Sequence, residues 1–227
     1  MLGLAALSAR TPYMYLAIEG VIGVGKTSLA RLLQPVFDAQ LLLEVFEENP
    51  FLADFYTDRE RYAFQTQIYF LLSRYRQHQV AVPGALTRGN LIADYTFAKD
   101  ALFAGLNLGG DELQTYGLVH RALAERIPTP DLIVFLRVET SAAMARIASR
   151  DRPYERNMES AYIAELNQAY EDFFSAQREL PILTIDTTRL NFVEQPSHLD
   201  RVVNRIRQAL QIPPFQQPLP LEGQPQV

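Results

Sequence analysis

The chain of 227 residues contains no cysteine. Disulfides, thiolate metal sites and cysteine nucleophiles are therefore excluded. Histidine is nearly as scarce, and His78, His120 and His198 are too dispersed to build a zinc site by spacing. Each reads as a surface or helix-packing residue. No apolar run approaches the roughly 20 residues that a bilayer-spanning helix needs. The first ten residues are mildly apolar but lack a basic stretch before their hydrophobic run, which argues against a secretory signal. No internal repeat is evident. A basic excess is missing too: 21 Lys and Arg face 26 Asp and Glu, a net charge of -5, with a pI near 5.3. That balance disfavours a nucleic-acid polymer as the main partner but is compatible with a nucleotide in a local basic pocket. The expectation is a cytoplasmic protein without membrane or nucleic-acid partners.

Material for a core is ample, with 48% hydrophobic and 21% charged residues, and the length suits one α/β domain. Five short apolar runs read as buried parallel strands, at 15–18, 41–45, 90–94, 132–136 and 182–185. Helices are expected over 26–37, 59–81, 111–126, 140–150, 159–178 and 197–210. The alternation predicts a doubly wound sheet with right-handed crossovers. Pro128 and Pro130 bracket the entry to the fourth strand, and Pro181 precedes the fifth. Residues 1–13, just ahead of Met14, read as a disordered extension or a start-site artefact. The tail 213–227, with five prolines among Gln and Gly, reads as disordered. The functional domain is then 14–212.

The most telling string is Gly20-Val-Ile-Gly23-Val-Gly25-Lys26-Thr27. Glycines let backbone N–H groups crowd around phosphate oxygens, the lysine charge reaches the β/γ-phosphates, and the threonine hydroxyl is a ligand for Mg²⁺. A strand before it and a helix from Ser28 onward supply the matching context, because a helix N-terminus favours anions. A glycine-rich turn with a solvated lysine would carry similar letters without that context. Gly20, Gly23, Gly25, Lys26, Thr27 and Ser28 are the candidate nucleotide-binding residues.

Other candidates surround the loop. Glu44 falls at the carboxyl end of the second strand, where ligands gather in parallel α/β sheets, and could accept a proton from an attacking hydroxyl. A helix-capping or solvated acid is the plainer alternative, and Glu47 and Glu48 lie close by. Gln67 and Arg74 are two helical turns apart and share a face. A glutamine offers donor and acceptor to a base edge, and an arginine offers a rigid fork. The aromatics on that helix read as core. Asp94 ends the third strand, where a carboxylate holds magnesium in phosphate-loop proteins or merely caps the next segment. Asp100 follows six residues later. Arg146, Arg150 and Arg152 cluster where Pro153 ends a helix. They read equally as a mobile arginine lid over about 146–157, or as a basic helix end complementing the dipole.

From about Met14 to Leu210 these segments resemble the deoxyribonucleoside kinase family, and within it the bacterial deoxyadenosine/deoxyguanosine kinases. The phosphate loop is shared widely; Glu44 after strand two, Phe55-Tyr56, the Gln67 to Arg74 helix and the arginine segment ending in Glu155 are the distinguishing parts. The resemblance implies a P-loop kinase fold, a five-stranded parallel sheet flanked by helices with an arginine-rich lid. It implies ATP as donor, Mg²⁺, a deoxynucleoside acceptor and a homodimer through packed helices; the apolar stripes of helices 59–81 and 111–126 also fit a monomer core. By the same resemblance, Lys26 and Thr27 handle the triphosphate and Mg²⁺, and Glu44 is the base on the 5′-hydroxyl. Asp94 lies near the metal. Gln67 pairs with the base, with Arg74 and Asp100 shaping its choice. Tyr56 and Glu155 hold the 3′-hydroxyl, and Arg146, Arg150 and Arg152 form the lid. One departure stands out. The family's Glu-Arg-Ser motif reads Asp94-Tyr95-Thr96, so its arginine is missing; Arg59, Arg61 and Arg88 are the candidates to replace it.

Two rivals remain at this stage. A thymidylate-type monophosphate kinase shares the loop and an arginine lid, although the acidic Glu44, Glu47 and Glu48 suit an already phosphorylated acceptor poorly. A nucleotide-binding structural subunit would keep the fold without catalysis.

Overall fold

The computed structural model describes residues 12–178 and 180–212, so the expectations for 1–11 and 213–227 lie outside the described residues. Five strands, β1 (Tyr15–Glu19), β2 (Ala39–Leu42), β3 (Asn90–Ala93), β4 (Leu132–Arg137) and β5 (Ile182–Asp186), form one sheet in the order β2-β3-β1-β4-β5. Every neighbouring pair is parallel. β1, β3 and β4 are apolar almost throughout because helices cover both faces. Leu16, Ala17, Ile18, Ile92, Ile133 and Val134 form the centre of the core.

Among the described residues eight α-helices connect and cover the strands: α1 (Lys26–Phe37), α2 (Leu52–Thr57), α3 (Arg59–Leu86), α4 (Lys99–Asn107), α5 (Gly110–Ala124), α6 (Thr140–Arg150), α7 (Ser160–Ala176) and α8 (Pro196–Ala209). Two of them, α2 and α4, were not anticipated. With 6 and 9 residues they are too short for a 3.6-residue period to declare itself. α3 also continues past its expected end at 81, through Pro83. Proline costs an interior helical hydrogen bond, but Val82, Ala85 and Leu86 are buried against the β2–β3 edge, and that packing outweighs the lost bond.

The second strand ends earlier than expected. Asp94 donates its backbone N–H to the Leu42 carbonyl (3.2 Å), and its side-chain Oδ1 accepts the Glu44 N–H (2.8 Å). A side chain thus replaces the next rung of the β2–β3 ladder and turns the chain away from the sheet. Glu44 consequently stands beyond the strand, on the loop above it.

Candidate active site

The glycine loop leaves the carboxyl end of β1. Glu19, fully buried, accepts hydrogen bonds from the Thr96 N–H (2.6 Å), the Thr96 hydroxyl (2.9 Å), the Tyr170 hydroxyl (3.1 Å) and the Gly20 N–H (3.3 Å). This carboxylate ties the start of the loop to the end of β3. Gly20 has a φ of +143°, and a Cβ there would sit 2.4 Å from the Leu136 carbonyl oxygen. Only glycine fits that combination of backbone and neighbour. Gly25 caps α1, whose first turn holds no acidic residue of its own, so the positive end of its dipole faces the cavity. Lys26 folds back onto the loop, donating from Nζ to the carbonyls of Gly20 (2.7 Å) and Val21 (3.2 Å). Burial and the charge of Lys99 pull its pKa down to about 8, against the opposing pull of Glu19, Glu44 and Asp94. Thr27 donates its hydroxyl to Asp94 Oδ2 (2.5 Å), so the two candidate metal residues converge.

Opposite the loop stands a charged network built from three elements. Glu44 accepts from Arg74 of α3, through Nε (3.1 Å) and one terminal nitrogen, and from Lys99 Nζ of α4 (2.7 Å). Arg74 also pairs with Asp100, which is fully buried. Burial by itself would raise the Glu44 pKa, but the Lys99 and Arg74 charges overcome it and hold the carboxyl well below the usual carboxylate range. Gln67 lies two turns before Arg74 on the same buried face, and among the described residues its Oε1 has no hydrogen-bond partner. A buried acceptor left unmade is costly, so this atom is suited to a ligand donor.

The arginines of 146–157 divide. Arg150 grips Glu155 with two hydrogen bonds (2.7 and 2.5 Å), and Arg152 lies 3.7 Å from the same carboxylate and 4.3 Å over the Phe46 ring. Tyr154 stacks on Tyr56 with 6.2 Å between centroids. Arg146 is committed elsewhere: it donates to the Val24 carbonyl (3.1 Å) and the Thr187 carbonyl (2.6 Å).

Two cavities meet at the loop. The first, about 410 Å³, is lined by Lys26, Thr27, Glu44, Gln67, Asp94 and Lys99 among others, with Tyr56, Arg150, Arg152 and Glu155 closing its rim. The second, about 520 Å³, lies between Gly23–Ser28, Arg146, Arg150 and the segment 188–193. None of Arg59, Arg61 and Arg88 lines either one. Arg59 faces Glu159 and the Tyr162 ring, Arg61 lies over Tyr62, and Arg88 reaches Gln40. Tyr95, in place of the missing arginine, donates its hydroxyl to Gln77 and packs edge-on against His78.

The family model described as Deoxynucleoside kinase matches residues 16–211. The chain belongs to the deoxynucleoside kinase family. It is 32% identical over 201 residues to a deoxyguanosine kinase of Bacillus subtilis (strain 168), covering 86% of this chain and 97% of that one. It is 35% identical over 187 residues to a deoxyadenosine kinase of Dictyostelium discoideum, covering 80% and 75% respectively. The fold matches a deoxyadenosine kinase from M. mycoides, solved with products dCMP and a flexible dCDP, with a TM-score of 0.76 and 26% identity over 86% of this chain and all (100%) of that one. The chain is thus a phosphotransferase acting on deoxynucleosides in nucleotide salvage, with ATP as the phosphate donor that the family implies.

Glu19, Lys99, Tyr154 and the wall at 188–193 carry no motif in the sequence. The signal for Glu19 was its place between an apolar strand and the glycine loop. Lys99 directly precedes Asp100, and only the unforeseen helix α4 brings both under Arg74 and Glu44.

Proposed function

We propose that this deoxynucleoside kinase moves the γ-phosphoryl group of ATP to the 5′-hydroxyl of a purine deoxynucleoside, with Mg²⁺ as cofactor. The supporting observation is the first cavity, in which the phosphate-loop Lys26 and Thr27 share one space with Glu44 and with the unpartnered Gln67 oxygen. In this reading Gly23, Gly25 and Ser28 cradle the phosphates with backbone N–H groups, while Gly20, its own N–H held by Glu19, supplies the backbone turn that starts the loop. Gln67 pairs with the base edge, while Arg74 and Asp100 limit which base fits. Tyr56 and Glu155 receive the 3′-hydroxyl. The second cavity takes the donor's nucleoside, with Arg146 at the loop between the two. The purine preference rests on the deoxyguanosine and deoxyadenosine kinases to which the chain is similar.

Thr27 and Asp94 are oxygen donors of the kind a hard cation prefers, and they would hold Mg²⁺ together with phosphate oxygens and water. Bound there, Mg²⁺ would supply positive charge to the phosphates. Glu44 acts chiefly by orientation. A carboxylate held so acidic is a weak proton sink, but the loose transition state of phosphoryl transfer asks for alignment before proton removal. Arg150 and Arg152 spread charge on the moving group and screen it from water as the rim closes.

The reading extends to a cytoplasmic homodimer. No described helix is long and apolar enough to cross a membrane. α3 and α5 pack together and present Leu72 (41% exposed), Val80 (78%) and Leu118 (65%) outward, an apolar surface fit for a second copy. Light scattering on a sizing column should give twice the chain mass, and Val80→Glu should halve it.

The deciding experiment is ATP-dependent phosphorylation across deoxyadenosine, deoxyguanosine, deoxycytidine, thymidine and thymidine monophosphate, with Glu44→Gln in parallel. Turnover of purine deoxynucleosides that collapses in Glu44→Gln supports the reading. Turnover of the monophosphate alone refutes it.

A further inference from the structure

The arginine missing at Tyr95 leaves a question of charge: what cation stands between Glu44 and the phosphate loop? Lys99 is 6% exposed, sits in the first turn of α4 and lines the first cavity. Among the described residues its ammonium has a single hydrogen-bond partner, Glu44 Oε2 at 2.7 Å. An ammonium carries three donors, so two are uncommitted. Its stem lies against Phe103, with Nζ 5.5 Å from the ring centroid, which limits where the head can go.

Lys26 lines the same cavity, so the ammonium groups of Lys26 and Lys99 face one space. Two cations facing one space repel, and among the described residues no carboxylate bonds to both. Lys26 settles for neutral loop carbonyls, while Glu44 is shared between Lys99 and Arg74. An anion between the two ammonium groups would relieve the repulsion and use the spare donors.

We propose that Lys99 is a catalytic residue of this kinase, holding the Glu44 carboxylate with one N–H and binding an equatorial oxygen of the transferring phosphoryl group with another. It would then take over the cationic duty that an arginine at position 95 cannot perform here. The inference rests on the function proposed above. In the step itself the bond from the γ-phosphorus to the β,γ-bridging oxygen breaks and its electron pair leaves with ADP. A bond forms from the 5′-oxygen to phosphorus, and the hydroxyl proton passes to Glu44 and on to solvent. Lys99 keeps its proton throughout and contributes charge and alignment only.

The test compares Lys99→Met and Lys99→Arg with the unaltered protein, measuring kcat, the nucleoside KM and the Kd for ATP, with melting curves to show folding. Loss of one preorganised donor lowers kcat by roughly 10²–10³-fold. Lys99→Met should show that loss with ATP affinity changed less than about threefold, and Lys99→Arg should recover at least about tenfold of it. A structural role would not give that recovery, nor would it confine the loss to kcat while the nucleoside KM and the ATP Kd stay within about threefold. If Lys99→Met melts below the assay temperature, Lys99→Gln carries the same expectation. Overturning results are a kcat within about threefold of the unaltered protein, or a loss that arginine leaves unrepaired in a folded variant. If the unaltered protein phosphorylates no nucleoside, the underlying function fails instead, so the two failures are distinguishable.

Discussion

The two sides of the first cavity are built on opposite plans. On the donor side, backbone does the work: glycine conformations, a bare helix N-terminus and one lysine resting on neutral carbonyls at the edge of its proton affinity. The acceptor side is built from charged side chains that already satisfy one another, Glu44 between Lys99 and Arg74 with Asp100 behind. The donor side is therefore strained until a polyanion arrives, whereas the acceptor side is preorganised without any ligand. The first is tuned by nucleotide binding and the second by its own pairing.

Substitution should separate these plans most sharply. Lys26→Ala removes charge from the phosphates, and turnover should fall by about 10³-fold or more. Its melting temperature should hold or rise, because a sheltered cation with a depressed pKa is a cost to the free protein. Glu44→Gln should lower kcat by about 10²-fold. Its melting temperature should drop, since Lys99 and Arg74 lose their shared anion. Matched melting curves and assays of the two variants check both halves, and melting shifts of the same sign would break the comparison.

Acid should weaken the acceptor side first. His78 is buried on α3 with neither ring nitrogen hydrogen-bonded, and burial followed by the Arg74 charge lowers its pKa to about 4. Between the unfolded value of about 6.5 and that folded value, the unfolded chain binds the extra proton, so stability falls as pH drops through this window. Urea unfolding at pH 7 and 4.5 should differ by roughly 2–3 kcal/mol from this group, and His78→Leu should remove that component. Glu44 adds only a few tenths of a kcal/mol to it, because its depressed pKa keeps its contribution in place above the unfolded value of 4.5 and loses most of it only in stronger acid.

Alkali should weaken the donor side, with a smaller effect. Above pH 8 the free protein's Lys26 gives up its proton, and ATP binding must restore it. The ATP Kd should rise up to about tenfold between pH 8 and 9, with proton uptake on binding. Titration calorimetry in buffers of different ionisation enthalpy measures both. A pH-independent Kd would place the lysine's charge outside the binding step.

The same contrast explains what the sequence made legible. The donor side is a contiguous string whose chemistry is local, and α1 and α6 begin and end at their expected residues. All five strands fell near their places, although β2 stops early because Asp94 takes over its pairing. The acceptor side could be read only in pieces. Glu44, Gln67, Arg74 and Asp100 stood out singly, but their meeting depends on α4, a nine-residue helix without a readable period. Lys99 was hidden for that reason, whereas Arg59, Arg61 and Arg88, the arginines that could have replaced the missing one, are carried elsewhere by the fold. Arg146 shows the reverse limit: its helix was clear, yet sequence could not tell that it would turn to Val24 and Thr187 while Arg150 turned to Glu155.

The most direct test of the account is a crystal structure of the protein with deoxyguanosine and a non-hydrolysable ATP analogue. The account predicts the nucleoside in the first cavity, its base edge on Gln67 and its 5′-oxygen on Glu44, with the analogue's γ-phosphate at Lys26. A deoxyguanosine base seated instead against Arg146 and Phe192, with Glu44 still closed on Lys99 and Arg74 and touching no ligand, would contradict it.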